Sequence, residues 1–71
     1  MTKQQLESVL MTVSGGKAAV SSLYFELSKA LEEMSEDNRW RCHSALRRLN
    51  RVFEALDDLG IGLEKREDTT E

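Results

Sequence analysis

The residues best able to do chemistry are Cys42 and His43, side by side, and five arginines, Arg39, Arg41, Arg47, Arg48 and Arg51, in a stretch without a single acid. A thiol beside an imidazole is the raw material of a cysteine nucleophile, but the base must reach the thiol. Neighbours on a helix point about 100° apart, so a helical Cys42-His43 makes no dyad. Cys42 instead falls on an apolar stripe and reads as a small buried hydrophobe. A closed zinc site needs four ligands, and Cys42 and His43 supply two. Gly15-Gly16-Lys17 resembles the end of a phosphate-binding loop, yet that pattern needs a glycine where Met11 stands and a Ser or Thr where Ala18 stands. No catalytic site, metal, cofactor or small-molecule substrate is therefore expected, since a fold this small has little room for a pocket.

The arginines admit two readings. They can form a patch for phosphate or an acidic partner, or a solvated face paired with Glu26, Glu32, Glu33 and Glu36 of a neighbouring antiparallel helix. Arginines near a helix start and Asp57-Asp58 near its end oppose the helix macrodipole, so helix stability did not place them. Trp40 shares the arginine side with Ser44 and Arg47, and Phe25 lies off the apolar stripe beside Ala18 and Lys29. Trp and Arg are enriched at binding hot spots, which makes Trp40 and Phe25 candidate partner contacts. The plainer reading has Trp40 folding over one end of the molecule.

The elements that position these residues are helices. The chain has no proline, and between its turn-forming clusters it is rich in Leu, Ala, Glu, Arg and Lys. Val20, Leu23, Leu27, Ala30 and Met34 recur at the helical period. The same register runs back through Gly16, Val13, Val9 and Leu6. Two interior glycines cost a helix about 2 kcal/mol relative to alanine. The register favours one long, kinked helix over residues 4–34, and the glycines favour a break. Thr2 with Gln5 forms a capping box for its start.

Ser35-Glu36-Asp37-Asn38 breaks the pattern, and Ser35, Asp37 or Asn38 can cap a second helix. That helix is expected to run to about Leu59 on a stripe of Cys42, Ala45, Leu49, Val52, Leu56 and Leu59, with Leu46 and Phe53 beside it. Gly60 suits a left-handed helix stop, with Ile61 folding back on Leu56. The expected fold is all-α: an antiparallel helical hairpin over residues 1–63, then a polar tail, 64–71, expected to be disordered. A second helix of that length covers only residues 12–34 of the first. Leu6, Val9 and Leu10 are then left bare, and with Val13 they become the expected contact for a partner protein or a second copy, the latter as a dimeric four-helix bundle.

A chain of 71 residues is one domain at most and is marginal alone. The lone cysteine fits a reducing compartment, so a cytoplasmic location is expected. Met1-Thr2-Lys3-Gln4-Gln5 leads into no apolar run, which argues against a secretory signal. Nothing approaches the roughly 18 apolar residues of a membrane span. The net charge of −3 argues against a general nucleic-acid binder, although a local basic patch can override it.

The layout resembles the small co-chaperones of type III secretion needle subunits, hairpin proteins of similar length that act with a tetratricopeptide-like chaperone. The resembling parts are the opening Met1 to Leu10, the long first helix, and Trp40 to Leu59 with its Ala45-Leu46 and Val52-Phe53. The similarity covers most of the chain as pattern and length. The glycine pair departs from it. The resemblance implies that Leu6, Val9, Leu10 and Val13 dock on a larger chaperone, and that the pair keeps needle subunits from polymerising early. The expected function is thus a non-enzymatic protein-binding adaptor or chaperone. The alternative is a homodimeric small regulator, of the kind phages encode, that uses its arginine face on nucleic acid.

Overall fold

A computed structural model describes residues 1–66. They form two helices, α1 (Lys3–Ala30) and α2 (Glu36–Arg66), joined by a single 3-10 turn at Leu31–Glu33. The helices lie antiparallel: Val13 faces Gly60, Gly16 faces Leu56 and Leu27 faces Cys42. The result is a rod 54 × 14 × 11 Å.

Each boundary has a local cause. The Thr2 hydroxyl accepts from the Gln5 amide (3.1 Å) and the Gln5 side chain accepts from the Thr2 amide (2.8 Å), a complete capping box. The reversal is tight. Met34 turns extended, its amide donating to the Leu31 carbonyl at 3.2 Å. The Ser35 hydroxyl then accepts from the Asn38 amide at 3.3 Å, and Arg39 Nε reaches back to the Met34 carbonyl. Glu36 and Asp37 in the first turn of α2 suit its dipole.

The helix passes unbroken through Gly15-Gly16, so the continuous register outweighs the local glycine cost. Gly16 lies on the interface, where an added Cβ would sit 3.5 Å from Leu56 Cδ1. Gly60 plays the same part from the other helix, facing Val13 Cγ1.

That placement overturns the expected stop. Gly60 is neither left-handed nor terminal: α2 continues through Gly60 and Gly62 to Arg66, and Ile61 stays exposed. Residues 64–66 are helical, against the expected disorder, and the rest of the tail lies outside the described residues. The extra turns run beside the start of α1. Leu6 is consequently buried, at 6% exposure, and Val13 with it, while Val9 and Leu10 are half-buried. The expectation that Leu6, Val9 and Leu10 stand bare fails for Leu6, and Val13, expected to join them as a partner contact, is core as well.

The seam of α2 is also shifted from the expected stripe. Cys42 and Leu46 are buried and Phe53 is half-buried, whereas Val52 and Leu59 are exposed. The apolar positions of α2 therefore span a band wider than one neighbouring helix covers, with one edge on α1 and the other free.

Candidate protein-binding surface

A two-helix rod has two long flanks, and here they differ in chemistry. The first carries polar groups beside its apolar ones. Lys17 Nζ lies 2.7 Å from Asp57 Oδ1 and 5.5 Å above the Phe53 ring. Ser21 and Asn50 edge the hollow between Val20, Tyr24 and Phe53. Towards the open end, Ser14, Asp57 and Glu64 surround Leu10 and Ile61. Both partners of the ion pair remain partly in water, so its stabilisation is small. Asp57→Asn is expected to cost under about 1 kcal/mol in urea denaturation, shrinking further in high salt. A loss of several kcal/mol would show that the pair holds the hairpin together.

The second flank is apolar along most of its length. Near the turn, Leu23 and Leu27 of α1 meet Ala45 and Leu49 of α2 in a shallow trough edged by Arg41, Ser44 and Arg48. Helical spacing carries each edge onwards. On α2 the edge row reads Arg41, Ala45, Arg48, Val52, Ala55 and Leu59. On α1 it reads Ala30, Glu26, Leu23, Ala19 and Gly16, with Glu33 of the 3-10 turn beyond Ala30. Leu23, Val52 and Leu59 are each close to half exposed.

The amount of bare surface is large for the chain's size. Among the described residues only Leu6, Val13, Cys42 and Leu46 are buried hydrophobics, and no side chain is fully enclosed. The accessible surface is 5654 Å², against about 4,500 Å² for a compact monomer of this mass.

The other singled-out residues scatter. Phe25 is 60% exposed on the back of α1, under Lys29 Nζ at 4.8 Å from the ring centroid. Trp40, 70% exposed, does not fold over the hairpin end; with Glu36, Arg39, His43 and Arg47 it lines an open hollow beside the turn. The five arginines divide: Arg39 and Arg47 face that hollow, Arg41 and Arg48 border the apolar flank, and Arg51 is exposed. Among the described residues none of the five pairs with a carboxylate, so the expected ion pairs to Glu26, Glu32, Glu33 and Glu36 within one hairpin do not form. Arg41 binds the Asn38 side chain at 3.2 Å.

Cys42 is a free, buried thiol 3.9 Å from the Leu27 carbonyl, and the exposed His43 points into the Trp40 hollow. Among the described residues no cluster of three His, Cys, Asp or Glu could hold a metal ion, and no helix is long and apolar enough to cross a membrane.

Val52 and Leu59, expected in the intramolecular seam, stand on this flank instead. The width of the α2 band, with Leu46 and Phe53 beside the expected stripe, was the signal that could have exposed it. No family model, curated protein or solved structure matches the chain.

Proposed function

We propose that this chain is a non-enzymatic protein-binding module whose apolar flank is covered by helices of another polypeptide. The observation that carries this reading is the flank itself: the trough of Leu23, Leu27, Ala45 and Leu49 near the turn, continued at helical spacing by the exposed Val52 and Leu59, on a rod with four buried hydrophobics among the described residues. An amphipathic helix laid into such a groove buries its own apolar face and the groove together. An adaptor or co-chaperone of the kind the sequence resembles would work this way. Its contact would be the flank rather than Leu6 and Val13, which α2 already covers.

The test is a photo-crosslinking residue placed at Val52, compared with one at Met11 on the far side of α1, in the protein's native cells. Val52 is expected to yield a discrete protein adduct and Met11 none. Equal labelling at both positions, or none at Val52, would sink the proposal.

A further inference from the structure

We infer that the polypeptide covering the flank is a second copy of the chain, related by a two-fold axis parallel to the rod. This inference deepens the protein-binding reading and rests on it.

A two-fold interface must be complementary to itself. The flank meets that condition in charge and in size. A two-fold axis along the rod sets α1 of one copy opposite α2 of the other, antiparallel and at the same height. Heights are fixed by the hairpin's own pairings, Lys17 beside Asp57, Gly16 beside Leu56 and Val13 beside Gly60. At those heights Arg41 of one copy comes level with Glu33 of the other, and Arg48 with Glu26. Val52 meets Leu23, and Leu59 comes level with Gly16. Ala45 meets Ala30, and Ala55 meets Ala19, so the helices can approach closely between the larger contacts. All four charged groups are exposed and, apart from a 3.8 Å contact of Glu26 with Lys29, lack an ionic partner among the described residues.

Turning the copy end for end would lay α2 on α2 and leave Arg41 and Arg48 against the apolar half of the same helix. The chemistry of the edges thus selects one of the two arrangements. The product is a four-helix bundle in which every neighbouring pair is antiparallel. The area agrees. A standard interface removes about 600–1,000 Å² from each partner, the order of the surface by which this chain exceeds a compact monomer.

Sedimentation equilibrium on the full chain is expected to return twice the 8.1 kDa chain mass. Arg48→Glu and Glu26→Arg each turn two symmetry-related attractions into repulsions, and each should raise the dimer dissociation constant about 10-fold at low salt. The double variant, and an equimolar mixture of the two single variants, should return to within about 3-fold of the parent. If a single variant loses helix together with its partner, mixing still restores both mass and circular dichroism. A dimer indifferent to both reversals, or singles that the mixture does not rescue, overturns the two-fold arrangement. A helical monomer at all concentrations overturns the second copy; a Val52 adduct with a different protein then leaves the protein-binding reading standing, and its absence removes both.

Discussion

Leu46→Ala is expected to lower stability by about 2–3 kcal/mol, at the lower end for a buried leucine because a rod this thin can relax around the gap. Leu46 is 8% exposed and is one of four buried hydrophobics among the described residues. A domain of this length has about 4–10 kcal/mol in total, so the loss is a large share of it. The corresponding fall in Tm is on the order of 10 °C or more. Urea and thermal denaturation by circular dichroism would measure it, at one protein concentration because association adds to apparent stability. A Leu46→Ala protein within about 0.5 kcal/mol of the parent would mean that the hairpin seam does not hold the molecule.

Gly15→Ala is expected to act in the opposite direction. Gly15 lies inside α1, and a Cβ added there meets nothing within 4 Å. The substitution removes the conformational freedom that glycine gives the unfolded chain and adds no clash, a gain of about 1 kcal/mol. Tm should rise by roughly 4–8 °C. An unchanged or lower Tm would show that α1 breaks at the glycines in solution. Together the two variants separate the sources of stability: Leu46 tests packing between the helices, Gly15 the propensity within one.

Much of this architecture was legible in the residues. Thr2 and Gln5 announced the start of α1, and the cluster Ser35 to Asn38 the start of α2, because a capping side chain acts within three residues of itself; of the three possible caps there, Ser35 is the one that accepts. The register across Gly15-Gly16 announced a continuous helix, because an apolar face is repeated many times and two weak residues do not cancel it. Cys42 announced its own burial by its place on the stripe.

The candidate site was less legible. Leu6 and Val13 were expected to be a partner's contact and are core, because the end of α2 was set too early at Gly60. Trp40 and Phe25 are as exposed as a contact requires, but they lie apart from the apolar flank and from each other. Val52 and Leu59 were assigned inward although they face outward, since a heptad step of three or four residues offers two adjacent stripes on one helix.

Two amphipathic helices reversing within Ser35-Glu36-Asp37-Asn38 are legible from the residues alone, since caps, propensity and period act within a few residues. Where α2 ends, and which of its two apolar stripes turns inward, depends on packing between the helices. A glycine in a helix costs about 1 kcal/mol, and laying two further turns along α1 covers Leu6 and seats Gly60 against Val13. Burying one leucine yields roughly 1.5–3 kcal/mol, so the local stop signal loses. The same competition hands Leu46 and Phe53 to α1 and leaves Val52 and Leu59 for whatever covers the flank.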